Sequence, residues 1–240
     1  MTKKRLDQYL VERNLVVSRS QGESFVRMGK VFVDGKPATK PGQLVHENAV
    51  IRITETARYV SRAGHKLASV AELFKLDFRS KTVLDVGSST GGFTDYALQH
   101  GATKVIAVDV GTDQLHPSLQ AHSQIELHEK TDIRQFKTTQ KIDIVVADVS
   151  FISLRDILPH VATLVTQHSL LAVMAKPQFE ALHSGVKHHG VIKNDRMRRD
   201  ILRDFEQWAK RSFVVLNKAD SNVAGSKGNV ERFYLLQKSR

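Results

Sequence analysis

The residues most suited to ligand chemistry lie in a glycine-rich turn. Residues 83–92 read VLDVGSSTGG, an apolar run followed by a turn and the expected start of a helix. Glycine in such a turn lets a ligand approach the backbone closely. The ATP-binding pattern G-x-x-x-x-G-K-[ST] fits Gly87 and Gly92, but Phe93 occupies the lysine position. Phe93 therefore excludes ATP as the ligand. The dinucleotide pattern G-x-G-x-x-G has Ser89 at its second glycine, which makes NAD a weaker alternative.

Acidic residues beside this turn indicate the ligand. Asp85 heads the turn and Asp109 ends the next apolar run, 105–109 (VIAVD). One carboxylate can pair with an ammonium group, and another can accept two hydrogen bonds from a ribose diol. S-adenosylmethionine carries both groups, so we predict it as the cofactor, with Asp132 near the adenine. The predicted cofactor-binding residues are Asp85, Gly87, Ser88, Gly91, Gly92, Asp109, Asp132 and Asp148.

Two further charged residues end apolar runs. Lys176 follows 170–175 (LLAVMA) and precedes Pro177, and Asp148 follows 144–147 (IVVA). Ligands of doubly wound α/β folds bind at the carboxyl ends of the strands. A poorly hydrated lysine beside a second cation can serve there as a general base, with Asp148 balancing the charge. For Asp148, a cap of the following helix is the alternative.

The elements that must position these residues alternate along the chain. From about residue 60, apolar β-branched runs alternate with helical patterns, which is typical of a parallel sheet covered on both faces. We predict an α/β fold with a doubly wound, seven-stranded, Rossmann-like methyltransferase sheet. Its strands are expected at 82–86, 105–110, 125–127, 142–147, 170–175, 213–216 and 232–236.

The amino-terminal residues predict a separate, small α+β unit. Helical spacing begins at Leu6, and Ser18 and Gln21 have the form of a capping box for a second helix that Gly29 ends. Residues 31–36 (VFVDGK) indicate a strand and an Asp-Gly hairpin, with another strand at 49–53. We expect domains at 1–55 and 63–240, joined by a linker at 56–62.

The charge balance indicates a polyanionic partner. The chain has 36 basic and 25 acidic residues, a net charge of +11 and a pI near 9.9. Residues 1–59 hold 11 of the basic and 6 of the acidic side chains, so charge is concentrated at the amino-terminal end. Basic residues on the helical part could bind phosphates along one face. The predicted RNA-binding residues are Lys3, Lys4, Arg5, Arg19, Arg27, Lys30 and Arg62.

Composition argues against several other classes. The chain has no cysteine, its start is too charged for a signal peptide, and its longest wholly apolar run is short, at 170–175. We therefore expect a cytoplasmic protein with no membrane role. His183, His188 and His189 lack a metal-ligand spacing, so no metal is expected. They lie in a loop, 178–193, that could close over a splayed-out nucleotide.

The chain resembles two known groups of proteins. Its first 55 residues, with RLDQYL at 5–10, SRSQ at 18–21 and GKVFVDG at 29–35, resemble the small RNA-binding domain of ribosomal protein S-four. The whole chain resembles the hemolysin-A-like ribosomal RNA methyltransferases, which join such a domain to a catalytic domain of the FtsJ ribose-methyltransferase type. The resemblance rests on SRAGHKL at 61–67, LDVGSSTGGFTD at 84–95, ADVSF at 147–151, KPQFE at 176–180 and GNVE at 228–231.

This resemblance implies a reaction and a catalytic set. The Lys-Asp-Lys-Glu set of the family falls on Lys66, Asp148, Lys176 and Glu231. The implied activity is methylation of a ribose 2′-hydroxyl in ribosomal RNA, with cytidine as target and ribosomal RNA or ribosomal subunits as partners. Two alternatives are a lytic, pore-forming protein and an RNA-binding factor whose methyltransferase fold is vestigial.

Overall fold

The computed structural model describes residues 3–16, 19–54, 58–185, 190–192, 194–223 and 228–239, and only the backbone of Ser20. Ser18 of the predicted capping box, residues 56–57 of the predicted linker, and His188 and His189 lie outside the described residues. Contacts within the chain divide it into two units, 1–62 and 63–240, and we describe each unit by itself.

The amino-terminal unit is the predicted small α+β fold. A hairpin turns at Asp34 and Gly35, where φ is +50° and +78°, as the Asp-Gly pair predicted. Leu6, Tyr9 and Leu10 are buried along the inner face of the first helix. The elements are β1 (Lys3–Arg5), α1 (Leu6–Glu12), α2 (Arg19–Arg27), β2 (Val31–Val33), β3 (Lys36–Pro37), β4 (Leu44–His46) and β5 (Ile51–Ile53).

One local prediction for this unit is wrong. Lys3, Lys4 and Arg5 form strand β1, paired antiparallel with β4, and are not part of the helical surface. The helix begins only at Leu6, whose backbone N–H donates to the carbonyl of Gln43 at 2.8 Å. The partner strand is 40 residues away in sequence, so no local pattern indicates the pairing.

The carboxy-terminal unit alternates strands and helices as expected. Strand β11 runs to Asp220, four residues beyond the predicted end. The elements are α3 (Arg62–Ala71), β6 (Thr82–Val86), α4 (Gly92–Gln99), β7 (Lys104–Val108), α5 (Pro117–Gln120), β8 (Ile125–His128), β9 (Ile144–Ala147), α6 (Leu154–Leu164), β10 (Leu170–Ala175), α7 (Pro177–Glu180), α8 (Asp195–Ala209), β11 (Phe213–Asp220) and β12 (Arg232–Lys238).

Among the described residues, seven strands form one sheet in the order β11-β12-β10-β9-β6-β7-β8. The prediction of parallel strands is wrong for β12, which runs antiparallel to both β10 and β11. Ala175, the last residue of β10, pairs with Arg232, the first residue of β12. The start of β12 therefore lies at the same edge of the sheet as the carboxyl ends of β6, β9 and β10.

Helices cover both faces of this sheet. Leu84 and Val86 of β6 belong to a buried cluster with residues of α6 and α8, including Ile157 and Phe205. On the opposite face, the ring of Phe93 in α4 lies 6.0 Å from that of Phe233 in β12. The sheet is thus doubly wound, and its loops at the carboxyl edge are held by a core on each side.

None of the helices in the described residues has the length and apolar character needed to cross a bilayer.

Candidate active site

The glycine turn after β6 has a backbone that glycine alone accommodates well. Gly87 has φ +78°, and a Cβ atom there would lie 2.9 Å from the carbonyl oxygen of Asp148. Gly91 has φ +86°, precedes α4, and has no room for a Cβ beside Leu115 and Leu119. Phe93, at the lysine position of the ATP pattern, is buried in the core. A ligand can therefore approach the turn only from the side that faces away from Leu115, Leu119 and the core.

Asp85 is a fully buried carboxylic acid at the base of this turn. Its Oδ2 accepts a hydrogen bond from the Thr94 hydroxyl at 2.6 Å, whereas its Oδ1 has no partner among the residues that the structure describes. Burial, against the opposing hydrogen bond from Thr94 and with the nearby charges of Asp148 and Asp109, raises the pKa of Asp85 to about 7. A buried oxygen without a donor is costly. An ammonium group of a ligand would donate a hydrogen bond to Oδ1 and would balance the negative charge of the carboxylate.

Asp109 directly follows β7 and orders the neighbouring loops. Its Oδ2 accepts from the backbone N–H of Ser89 at 2.8 Å and its Oδ1 accepts from that of Gly111 at 2.7 Å. Asp132 pairs with Arg134, with 2.6 Å between Oδ2 and Nη2, and this guanidinium lowers the pKa of Asp132. Both carboxylates line the same cavity. Each oxygen of Asp109 accepts one hydrogen bond and keeps a lone pair for a ligand hydroxyl, whereas each oxygen of Asp132 already accepts two from Arg134.

Two cavities meet at the carboxyl edge of the sheet. The large cavity, of about 580 Å³, lies between Gly87, Asp109, Asp132 and Phe151. The small cavity, of about 130 Å³, lies beside it. Both cavities are lined by Gly87, Ser89, Asp148 and Ser150. The small cavity is also lined by Ala63, Asp85, Ser88, Thr90, Phe93 and Lys176.

Some of the predicted cofactor-binding residues line a cavity, and others do not. Asp85, Gly87, Ser88, Asp109, Asp132 and Asp148 line one or both cavities. Gly91 and Gly92 line neither, because they form the start of α4 behind the turn. The large cavity has the size typical of cofactor sites. The small cavity joins it to the predicted base, Lys176.

Lys176 and Asp148 form the first of two buried ion pairs. Lys176 follows β10 and Asp148 follows β9, and the Nζ and Oδ1 atoms are 2.6 Å apart. Nζ of Lys176 also donates to Oγ of Ser150 at 2.7 Å. Only 8% of Lys176 is exposed. The alternative of a helix cap at Asp148 is wrong, because Ser153 is the residue that caps α6.

Lys66 and Glu231 form the second pair. Nζ of Lys66, on α3, lies 2.5 Å from Oε2 of Glu231, and both residues are buried. Glu231 immediately precedes β12, so the antiparallel direction of that strand brings it next to the end of β10. Ala63, one helical turn before Lys66, lines the small cavity. The four residues implied by the family resemblance thus gather as two ion pairs at one edge of the sheet.

Two residues of the loop after β9 were not singled out from the sequence. Ser150 contacts Lys176 and lines both cavities. Phe151 has φ +67° and an exposure of 89%, and its ring centroid lies 5.5 Å from that of Phe179. A bulky residue in the left-handed region is strained and is found at functional sites. The only available signal was their position directly after Asp148.

The predicted RNA-binding residues of the amino-terminal unit differ in their contacts. Arg5 and Arg19 both pair with fully buried Asp7, with 2.8 Å and 2.9 Å between their Nη2 atoms and its Oδ2. Hydrogen bonding from Arg5, followed by that from Arg19, lowers the pKa of Asp7 to about 2. Lys4 pairs with Glu12. Arg5 and Arg19 thus stabilise the fold, and about half of each side chain stays exposed.

The remaining predicted basic residues are at the surface or close to it. Lys3, Arg27 and Lys30 are exposed or partly exposed in the amino-terminal unit, and Arg62 begins α3 and is partly buried.

His183 pairs with Asp156 at 3.0 Å. Within the described part of the chain, no group of three histidine, aspartate or glutamate residues could hold a metal ion.

Known proteins are similar to this chain along most of its length. A family model described as FtsJ-like methyltransferase matches residues 59–238, and one described as the S4 domain matches residues 4–51. Hemolysin A of Brachyspira hyodysenteriae is 35% identical over 232 residues, which are 95% of this chain and 97% of that protein. The 16S/23S rRNA (cytidine-2′-O)-methyltransferase TlyA of Mycobacterium tuberculosis is 35% identical over 239 residues, 97% of this chain and 89% of that protein.

A solved structure extends the likeness to the fold. The structure described as a hemolysin from Streptococcus thermophilus has a TM-score of 0.77 and 32% identity, covering 100% of this chain and 90% of that chain. The family model alone spans well over half of the chain, and it covers both cavities and both ion pairs. The chain therefore belongs to the FtsJ-like methyltransferase family and carries an S4 domain at its amino-terminal end.

Proposed function

We propose that this protein uses S-adenosylmethionine to methylate a ribose 2′-hydroxyl of ribosomal RNA, with a cytidine as the target. The observation that carries the proposal is the pairing of Lys176 with Asp148 and of Lys66 with Glu231 beside the small cavity. A ribose hydroxyl is a very weak acid, so its attack on a methyl group needs a base within hydrogen-bond reach. Lys176 lines this cavity and is the residue placed to serve as that base.

The residues around the two cavities fit the proposed cofactor. Asp85, at the small cavity, would accept from the ammonium group through its Oδ1, and Asp109, at the large cavity, would accept from the ribose hydroxyls. Gly87 leaves room beside the Asp148 carbonyl for a close approach. When bound, the sulfonium group supplies an activated methyl. The carboxylates of Asp85, Asp109 and Asp148 lower the energy of a cation at this edge.

The protein's own contribution is then placement and proton removal. Lys176 takes the hydroxyl proton, and Asp148 stabilises the ammonium that results. Glu231 holds Lys66 in the same way, which places a second cation at the site. Much of the rate enhancement in such a reaction comes from the orientation of the reacting atoms.

RNA as the substrate is supported by features of both units. An S4 domain and the exposed basic residues of the amino-terminal unit offer contacts to phosphates. Phe151 and Phe179 present aromatic faces beside the cavities, and splayed-out RNA bases stack on such faces. Cytidine is the target in the name of the Mycobacterium tuberculosis relative. Ribosomal RNA as substrate also points to the cytoplasm as the place of reaction.

A label-transfer experiment tests this function. The protein is incubated with tritiated S-adenosylmethionine and with purified ribosomal subunits that lack the modification. We expect tritium in the RNA, in proportion to enzyme turnover, and no release of haemoglobin from erythrocytes by the same preparation. Tritium in ribosomal protein, or lysis without transfer to RNA, would contradict the proposal and favour the lytic alternative.

The amino-terminal unit is expected to add affinity for RNA that depends on salt. Arg27 is exposed on α2, so Arg27→Glu should weaken binding of ribosomal RNA and reduce the slope of log Kd against log salt by about 1. The matched control is Arg79→Glu, the same charge change at an exposed residue before the amino end of β6. Fluorescence anisotropy at several salt concentrations measures both. Equal effects of the two variants would argue that only net charge matters.

A further inference from the structure

The nitrogen of Lys176 contacts two residues of the loop after β9, and it also lies 5.9 Å from the centre of the Phe179 ring. Asp148 Oδ1 lies at 2.6 Å and Ser150 Oγ accepts a hydrogen bond at 2.7 Å. The proposed catalytic set accounts for Asp148 but gives Ser150 no role. Ser150 also lines both cavities, so its hydroxyl lies where cofactor and substrate sites meet.

The hydrogen bond from Lys176 to Ser150 restricts the direction of the lone pair on the amine nitrogen. A neutral amine nitrogen is tetrahedral, with two N–H donors and one lone pair. When Ser150 accepts from one donor and the Asp148 carboxylate, the ion-pair partner, lies beside the nitrogen, the lone pair takes the direction that remains. With Asp148 alone, the nitrogen can rotate and present an N–H to the substrate hydroxyl. Removal of a proton requires the lone pair to face that hydroxyl.

We propose that Ser150 is a positioning residue, which directs the lone pair of Lys176 toward the ribose hydroxyl bound in the small cavity. This inference rests on the proposed function. In the reaction, the ammonium of Lys176 first loses a proton to water, and the proton of the ribose O–H bond then joins the neutral Nζ. The electron pair left on the oxygen forms the bond to the methyl carbon, and the carbon–sulfur bond breaks to leave a neutral thioether. Lys176 becomes an ammonium that donates to Asp148 and Ser150.

A second buried contact fixes the loop that carries Ser150. Glu180, 1% exposed, accepts from Oγ of Ser153 at 2.6 Å and from the backbone N–H of Leu154 at 2.8 Å. Glu180 ends the single turn α7, which starts directly after Lys176. The loop 148–153 is therefore fastened to segment 176–180 at both ends. Ser150 and Lys176 are held in register before any substrate binds, which is the preorganisation that catalysis requires.

Steady-state kinetics of Ser150 variants test the inference. Ser150→Ala should lower kcat about 10-fold, the effect of one lost hydrogen bond, and leave the KM values for cofactor and RNA unchanged. Ser150→Thr keeps the hydroxyl and should restore most of the rate. Binding of S-adenosylhomocysteine, measured by calorimetry, should be the same in all three proteins, which also establishes that the variants fold.

A double-mutant cycle distinguishes action through Lys176 from other roles. Ser150→Ala should add no further loss of rate to Lys176→Met, because a serine that only orients the amine has nothing left to orient. An unchanged kcat in Ser150→Ala, an equal loss in the Lys176→Met background, or weaker binding of S-adenosylhomocysteine would each overturn the inference. A wild-type protein that transfers no methyl group to RNA would instead contradict the proposed function.

Discussion

Replacing Lys176 with methionine is expected to lower kcat for RNA methylation by roughly 10²–10⁴-fold, the usual contribution of a general base. Methionine keeps the unbranched side chain and removes the nitrogen that lies 2.6 Å from Asp148 and 2.7 Å from Ser150. Cofactor and RNA should still bind, because the residues proposed to hold the cofactor, including Asp85 and Asp109, are unchanged. Single-turnover transfer of tritium, measured at saturating RNA, reports the chemical step.

A matched lysine controls for this change. Lys141 is exposed and lies near the amino end of β9, at the opposite edge of the sheet from the cavities. Lys141→Met removes the same positive charge and should leave kcat unchanged. If Lys176→Met kept more than about a tenth of the wild-type rate, far more than loss of a general base allows, the assignment of Lys176 as the base would be wrong.

Asp85→Asn is expected to weaken binding of S-adenosylmethionine by about 100-fold or more, the scale of a lost buried ion pair. The carboxyl is fully buried, and in the described part of the chain its Oδ1 has no hydrogen-bond partner. A ligand ammonium is the donor that this oxygen lacks. Calorimetric titration measures the affinity, and Asp77→Asn, a change at an exposed aspartate before β6, is the control.

The same variant should be more stable than the wild type at high pH. The pKa of Asp85 rises from 3.8 in the unfolded chain to about 7 in the folded protein, so the folded state binds more protons between these values. Wild-type stability attributable to this group is fully present below pH 4 and falls as the pH rises to about 7. The stability advantage of Asp85→Asn should therefore grow across this range by up to about 4 kcal/mol.

Chemical denaturation at pH 4, 6 and 8, without ligand, measures this difference. For the wild type, cofactor affinity should also weaken as the pH falls below about 7, because the protonated acid no longer attracts an ammonium group. A stability difference that does not change with pH would show that Asp85 is not the strained group that the structure indicates.

Local sequence patterns were sufficient to predict the positions of residues at the carboxyl ends of the strands. Asp85, Asp109, Asp148 and Lys176 each end an apolar run, and the carboxyl edge of a parallel sheet brings such residues together. Their contacts with the cavities could therefore be predicted without knowledge of the partners. The Asp-Gly hairpin was predictable for the same reason, because the turn depends only on its own two residues.

The positions of residues that depend on pairing between strands far apart in sequence could not be predicted from local sequence patterns. Glu231 precedes β12, and it reaches the site only because that strand runs antiparallel to β10. Lys3, Lys4 and Arg5 form a strand because β4 lies beside them. In both cases the sequence near the residue carries no sign of its partner. The family resemblance was the only signal for Glu231.

Loop conformation was the other source of missed residues. Ser150 and Phe151 follow Asp148 directly, yet their importance comes from a contact with Lys176 and from a backbone at φ +67°. Neither feature has a residue pattern, since the left-handed conformation is usual for glycine and rare for phenylalanine. The pairing of Arg5 and Arg19 with buried Asp7 was hidden in the same way among residues that looked like a simple basic surface.

The central claim is tested most directly by identifying the methylated nucleoside. Ribosomal subunits that lack the modification are incubated with the protein and S-adenosylmethionine, and the RNA is digested to nucleosides and analysed by mass spectrometry. The account predicts one new product, a cytidine with the methyl group on the 2′-oxygen, which forms at least about 100-fold more slowly when Lys176→Met replaces the wild type. A methyl group on a base, or formation of the same product by the Lys176→Met variant at more than about a tenth of the wild-type rate, would contradict it.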